Sequence, residues 1–413
     1  MDIFSLVSNA KARKASDLHI TADTAPMVRV NGAIERLDGD IPLSSSDMEE
    51  MLEQLTSAKD REIFLSEKEL DFGYTVTGVT RLRCNAAIHR GNICISMRLI
   101  PAEIPTIEEL HLPDICKDLI LKPRGLIIVS GPTGSGKSTT LASMLDYLNH
   151  TESRRIVTIE DPLEYLFTND KASIFQRELG NDTNSFSQAL KHVFRQDPDV
   201  IMVGEMRDTE TAESVLILAE TGHLVVTTGH APSSSQAVDR VIDLFPVHER
   251  HFAQTRMANL LIGIMCQALV PTEDEQGRIP AIELLLANTA VRSLIREGKI
   301  HHLPNVIRTH AQDGMILLDQ SLASLYKDGL ISGKNLLAFC NDRAEIEKLI
   351  GEIHVKRNGY KQEEPLYRFS HQGNSNAHPM KVEQPGKREA LIEKEASKTV
   401  LTGLNQVGKG GAN

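Results

Sequence analysis

The sequence has no tryptophan, and aromatic residues make up only 4% of its 413 positions. Proteins that hold single-stranded nucleic acid stack bases on aromatic side chains, so that class is disfavoured. A basic excess is missing too. The formal net charge is −11, which does not suit a groove that tracks a phosphate backbone, and no nucleic-acid partner is expected. The five cysteines, Cys84, Cys94, Cys116, Cys266 and Cys340, form no CxxC pair. A zinc knuckle or redox pair is therefore not expected, and the scattered odd number fits reduced intracellular thiols. No apolar run approaches the length of about 18 residues that marks a transmembrane helix. The longest, Leu260 to Val270, is interrupted by Gln267. The start, Met1-Asp-Ile-Phe, has no basic region before an apolar run and does not read as a signal peptide. Any membrane association is expected to be peripheral.

What is present reads as two domains and a tail. Residues 1–99 have the pattern of a small α+β domain. Asp17–Ile20 and Met27–Val30 are strand-like, and Asn31-Gly32 is a tight turn into Ala33-Ile34-Glu35. Met48, Met51, Leu52 and Leu55 give residues 47–65 a helical spacing, and Phe72–Val76, Thr80–Ile88 and Asn92–Leu99 read as further strands. Pro101, Pro105 and Pro113 mark residues 100–113 as an interdomain linker, with a capping-box-like Thr106-Ile-Glu-Glu109. In residues 114–354 short apolar runs alternate with amphipathic helices. The runs are Gly125–Ser130, Arg155–Ile159, Val200–Val203 and His223–Thr228. Such runs are strands buried on both faces of a mainly parallel sheet, so the class is α/β. Residues 234–350 read mostly as helices. Residues 355–413 turn to Lys, Glu, Gln, Asn, Gly and Pro, with ten basic and six acidic side chains. That composition predicts a disordered tail with a short helix near 388–401. A basic tether to anionic lipid or an acidic partner is the second reading.

The chemistry is carried by Gly131-Pro132-Thr133-Gly134-Ser135-Gly136-Lys137-Ser138-Thr139, a match to G-x-x-x-x-G-K-[ST] between a strand and a helix. Glycines let the backbone curl so that successive N–H groups point at phosphate oxygens, and the helix N-terminus adds partial positive charge. Lys137 is expected on the β- and γ-phosphates of ATP, and Ser138 as a hydroxyl ligand of Mg2+. A plain glycine-rich turn is the bland alternative, and the strand–loop–helix context argues against it. Hydrolysis also needs a carboxylate near the attacking water. Glu160, which has Glu164 a helical turn further on, and Glu205 both follow apolar strands at the end that faces the ligand crevice of a parallel sheet. Asp197 and Asp199 precede their strand and read as turn residues. His223 and His230 bracket the strand Leu224–Thr228. His230 stands at its C-terminal end, where it is either a structural histidine or a sensor of the γ-phosphate.

Several motifs in order carry a family resemblance: Ser16-Asp-Leu-His19, Arg81-Leu-Arg-Cys-Asn85, the Walker A loop, Thr158-Ile-Glu-Asp-Pro-Leu-Glu-Tyr165 (Asp box), Arg195 to Asp208 (Walker B), Ala219-Glu-Thr-Gly-His223 with His230 (His box), and Ala290-Val-Arg-Ser-Leu-Ile-Arg-Glu297. Together they resemble the secretion ATPase superfamily, and within it the type IV pilus retraction ATPases of the PilT/PilU family. The resemblance implies a PAS-like N-terminal domain followed by a RecA-like P-loop ATPase domain with a helical C-terminal part. It implies a cytoplasmic homo-hexamer on an inner-membrane pilus platform protein, with a second retraction ATPase as a possible companion. It assigns hydrolysis to Glu160 and Glu205, and it matches Arg83 and Arg98 to arginines that reach the γ-phosphate. From spacing alone, those two arginines would pair with acids at the surface of their own domain. The sequence departs from the family in Thr228-Gly-His-Ala231, in Val and Ser within the AVRSLIRE segment, in the PilU-like Val270–Gly277, and in its long tail. An accessory PilU-like ring subunit, a pilus assembly or type II secretion ATPase, a non-catalytic subunit and a nucleic-acid motor are the competing readings. Assembly and type II secretion ATPases usually carry a tetracysteine zinc insert, which this sequence lacks.

Overall fold

The computed structural model describes residues 2–30, 32–37, 42–100 and 103–351. The expected tail at 355–413, with its helix near 388–401, lies outside the described residues, as does Asn31 of the expected turn.

The N-terminal part opens with α1 (Ile3–Ala12), a helix that the sequence pattern did not announce, followed by β1 (Asp17–Thr21), β2 (Met27–Val30) and β3 (Ala33–Arg36). Val30 pairs with Ala33, so two residues connect β2 and β3, as the hairpin reading requires. The helical spacing at 47–65 resolves into two helices, α2 (Ser45–Leu55) and α3 (Ala58–Glu67). Each starts on a reciprocal capping box, Ser44 with Asp47 and Ser57 with Asp60, and the second box is what splits the run. The strands β4 (Glu69–Val76), β5 (Thr80–His89) and β6 (Asn92–Leu99) complete an antiparallel sheet of order β3-β2-β1-β6-β5-β4. Its even-numbered β5 residues Leu82, Cys84 and Ala86 are buried with Leu18, Ile95 and Met97. The odd-numbered ones, Arg81, Arg83 and Asn85, line the opposite face.

Residues 107–111 are turns. The capping box still forms, with Thr106 N–H on Glu109 Oε2 at 2.8 Å and Glu109 N–H on Thr106 Oγ1 at 3.2 Å. Ile107 and Leu112 are buried against the second sheet, so this stretch is anchored along its length.

The second part carries α4 (Ile115–Ile120), β7 (Gly125–Ser130), α5 (Lys137–Thr151), β8 (Arg155–Glu160), β9 (Ser173–Glu178), α6 (Phe186–Val193), β10 (Val200–Val203), α7 (Thr209–Glu220), β11 (Leu224–Thr228), α8 (Ser234–Asp243) and α9 (Arg250–Leu260). Then come β12 (Leu261–Pro271), β13 (Arg278–Leu286), α10 (Thr289–Arg296), α11 (Leu303–Thr309), α12 (Leu318–Lys327), α13 (Gly333–Phe339) and α14 (Arg343–Ile350). The sheet order is β13-β12-β7-β11-β10-β8-β9. All its pairings are parallel except β12 with β13. This is the α/β class expected, a RecA-like fold behind an N-terminal domain. One expectation fails: residues 261–286 are a two-stranded extension of the sheet, not helix. The apolar run at 260–270 is buried on both faces of a central strand, and periodicity alone does not separate such a strand from a buried helix. Strand β9, on the sheet edge, was also not read from sequence.

Candidate functional site

The C-terminal ends of β7, β8, β10 and β11 converge, and each delivers one element of the site. The order β7-β11-β10-β8 brings them side by side through parallel pairing.

Beyond β7, the loop 131–136 turns back into α5. Gly131, Gly134 and Gly136 have φ of +145°, +79° and +87°. At Gly131 a Cβ would sit 2.3 Å from the carbonyl oxygen of Gln267, so conformation and space both demand glycine. Lys137 is buried, and its ammonium donates to the carbonyls of Gly131 at 2.9 Å and Pro132 at 3.0 Å. Burial lowers its pKa from the usual value. The Ser135 hydroxyl is buried without a partner. A lysine resting on loop carbonyls, an orphaned hydroxyl and the free N–H groups of the α5 N-terminus are the features an anion would satisfy. Ser138 is half-buried in the first turn of α5, and the residues present therefore suit a phosphate group with its cation.

The loop is braced from β12. Gln267 donates from Nε2 to the Ser135 carbonyl at 2.5 Å and accepts from Thr140 Oγ1 at 2.9 Å. Read in the sequence, Gln267 was only an interruption in an apolar run. Its partners lie more than 120 residues away in the chain, so no local signal could have found it. On the same side, a cavity of 830 Å³ opens between Thr139, Thr140, Leu269 and the turn at Leu110–Leu112.

Glu160 ends β8 and is 7% exposed. Burial pushes its carboxyl up to about 7. Gln176 of β9 donates to Glu160 Oε1 at 3.4 Å and to the Tyr165 carbonyl at 2.9 Å. Tyr165 Oη lies 3.0 Å from Thr139 Oγ1, which ties the Asp-box segment to α5. That segment is loop from 161 to 170, so Glu164 is not a helical turn from Glu160 but an exposed loop residue.

Glu205, just after β10, pairs with Arg207 and with His230, whose Nε2 is 3.0 Å from Glu205 Oε2. Burial, then the Lys137, Arg240 and Arg207 cations, depress the His230 pKa. The ring is thus neutral at neutral pH, and it donates from Nε2 to the carboxylate. His223 stands at the other end of β11, with Nδ1 3.0 Å from the Leu218 carbonyl at the end of α7. Asp199 accepts from the Arg155 N–H at 2.7 Å and sits at the opening of β8 and β10, as expected.

Arg83 and Arg98 are cross-strand partners on β5 and β6. Both are exposed. Arg98 Nε is 3.0 Å from Asp17 Oδ1, and the pairing with Arg98 and Ser16 holds the Asp17 carboxyl below its usual range against the opposing effect of burial. The arginine that meets the second sheet within the chain is Arg81, which pairs with Glu178. In the AVRSLIRE segment, Val291 and Ile295 are buried, and Arg292 donates to the carbonyls of Asn259 and Leu261 where α9 ends. No group of three or more acids, histidines and cysteines able to hold a metal ion occurs among the described residues.

The model of the type II/IV secretion system protein family matches residues 82–316. The chain belongs to that family. Among its relatives, the type IV pilus retraction ATPase PilT of Pseudomonas aeruginosa is 41% identical over 81% of this chain and 97% of its own length. The type IV pilus ATPase PilU of the same organism is 38% identical over 85% of this chain and 91% of its own. A crystal structure of the pilus retraction motor PilT with bound ADP superposes with a TM-score of 0.79 at 41% identity, covering 84% of this chain and 99% of that one. The Walker A, Asp-box, Walker B and His-box segments of the family all lie inside the matched span. No helix among the described residues is long and apolar enough to cross a membrane.

Proposed function

We propose that this chain is the motor subunit of a type IV pilus retraction machine. It is an ATPase. Its identity with PilT, 41% along 97% of that protein's length, carries the reading.

In this reading the loop 131–136, Lys137, Ser138 and Thr139 bind the ATP phosphates. Ser138 would hold Mg2+ together with phosphate oxygens, and the bound cation would neutralise charge there. Glu160, with its raised pKa, takes the proton of the attacking water; a base poised near 7 suits work at neutral pH. Glu205, locked by Arg207 and His230, reports on the γ-phosphate through the His230 ring. Arg83 and Arg98, exposed on the N-terminal sheet, act on the nucleotide of a neighbouring subunit in a homo-hexamer. Arginine supplied by a second subunit makes hydrolysis depend on how the subunits close, which converts chemistry into motion. We place the domain boundaries at 1–99, 100–113 and 114–354. The ring would sit at the cytoplasmic face of the inner membrane on a pilus platform protein.

The test has two arms. Purified protein should hydrolyse ATP in a Mg2+-dependent reaction that Lys137→Ala abolishes; turnover that survives Lys137→Ala removes the site assignment. A strain that lacks the gene, and any second gene of this type, should lose pilus retraction. Normal retraction there removes the biological role while leaving the ATPase standing.

A further inference from the structure

One charged group connects the N-terminal sheet to the turn that carries Glu160. Glu178 ends β9, is 2% exposed and stands beside Glu160 in the β8–β9 register. Its Oε1 accepts the backbone N–H of Leu163 at 3.1 Å, and its Oε2 accepts from Asn181 Nδ2 at 2.5 Å. The next residue, Leu179, donates its N–H to the Glu160 carbonyl at 2.8 Å. Glu178 and its neighbour thus hold the Asp-box turn from both sides, at residues 160 and 163.

The remaining partner of the carboxylate comes from the other sheet. Arg81 Nη2 on β5 pairs with Glu178 Oε2 across 97 residues of sequence, and Arg81 Nη1 donates to Thr75 Oγ1 at 2.9 Å. The approach is close because Gly73 of β4 has no side chain. A Cβ there would lie 2.6 Å from Arg81 Nη2 and 2.9 Å from Glu178 Oε2. The pair is nearly shut off from solvent, with side-chain exposures of 14% for Arg81 and 3% for Glu178. A buried carboxylate that loses its cation is left without a charge partner, and the rearrangement that follows alters the hydrogen bonds it makes to Leu163 and Asn181.

We propose that Arg81 is a positioning residue for hydrolysis: through Glu178 it fixes the Asp-box turn, so the seating of the N-terminal sheet on its own RecA-like domain sets the placement of Glu160. This rests on the reading that Glu160 acts on the attacking water. It assigns the three neighbouring arginines different tasks, since Arg81 works within the chain whereas Arg83 and Arg98 face outward.

The test compares steady-state ATP hydrolysis by the full chain carrying Arg81→Met, Arg81→Lys, Glu178→Gln and the Arg81→Met/Glu178→Gln pair, with Glu160→Gln in parallel. Melting temperature and binding of a fluorescent ATP analogue are read on each. Arg81→Met should lower kcat about tenfold while KM for ATP stays within about twofold. Arg81→Lys should recover most of the loss, and the double variant should be no slower than the worse single one. Wild-type kcat in Arg81→Met, losses that multiply in the double variant, or a variant that no longer folds or binds nucleotide would each overturn the proposal. If Glu160→Gln keeps full turnover, the water-activating reading falls instead, whatever Arg81 does.

Discussion

The two sheets of this molecule use their polar residues in opposite ways. The seven-stranded sheet is buried on both faces, and its chemistry is confined to strand ends: Gly131 after β7, Glu160 at β8, Glu205 after β10, His230 after β11. The N-terminal sheet buries one face and displays the other. Across that second face, paired positions run Arg29, Asp17, Arg98, Arg83 and Gly73 over five adjacent strands, with the Gly73 end covered by Glu178. A parallel sheet between helix layers can offer a ligand only its edge. An antiparallel sheet with one free face can present a row of side chains to another molecule. In the function proposed above, the parallel sheet builds the pocket, and the antiparallel one offers its arginines to the pocket of a neighbouring subunit.

The largest expected effect tests that division. Arg83→Ala should reduce kcat by about 10³, the scale of an arginine acting on a transferring phosphoryl group, with no change in melting temperature because the side chain is exposed. Rings mixed from Arg83→Ala and Lys137→Ala subunits should regain turnover, since each supplies what the other's site lacks. No recovery in mixed rings would put the arginine in its own subunit's site and erase the distinction between the sheets.

Glu160→Gln comes next, with a loss of about 10²- to 10³-fold in kcat and retained nucleotide binding. For the unmodified protein, kcat/KM should fall as pH drops below about 7. The stability effect has a definite sign. Burial raises the folded-state pKa above the ordinary 4.5, so the folded protein holds this proton more tightly than the unfolded chain. Stability is full below the ordinary value and declines as pH rises through about 7. Glu160→Gln should therefore raise the melting temperature at pH 8 and leave it nearly unchanged at pH 5. The opposite ordering in thermal melts would mean the carboxylate is stabilised where it sits.

A smaller effect probes the brace within the parallel sheet. Gln267→Leu strands the Ser135 carbonyl and the Thr140 hydroxyl, at a cost of about 1–3 kcal/mol. The loop should loosen and ATP affinity fall about tenfold, measurable by titration calorimetry. The smallest effect belongs to the open face. Asp17→Asn should change stability by about 1 kcal/mol or less, because its partner Arg98 is largely exposed. A larger loss in chemical denaturation would show that the arginine row is held together by that carboxylate.

Much of the site was legible in the sequence because its parts are local. A P-loop needs glycines, a lysine and a hydroxyl at fixed spacing between a strand and a helix, and all of these are contiguous. Apolar runs that end in Glu160, Glu205 and His230 announced strand ends, and parallel pairing put strand ends together. The failures share a cause. Residues 261–271 form a strand buried on both faces, and such a run has no period to separate it from a buried helix. Edge strand β9 is short and mostly polar, Ser-Ile-Phe-Gln-Arg-Glu, so it carries little alternation.

By itself, then, the sequence determined the α/β class, and it singled out the candidate phosphate-binding loop and the acids that compete for the water, since each depends on residues a few positions apart. Only the tertiary structure decided that Gln267 holds the loop, that His230 and not His223 meets Glu205, and that Arg81 rather than Arg83 or Arg98 grips Glu178. Those contacts join residues 132, 25 and 97 positions apart. No local propensity encodes them; they exist because two sheets bury their apolar faces and bring distant polar groups within hydrogen-bonding distance.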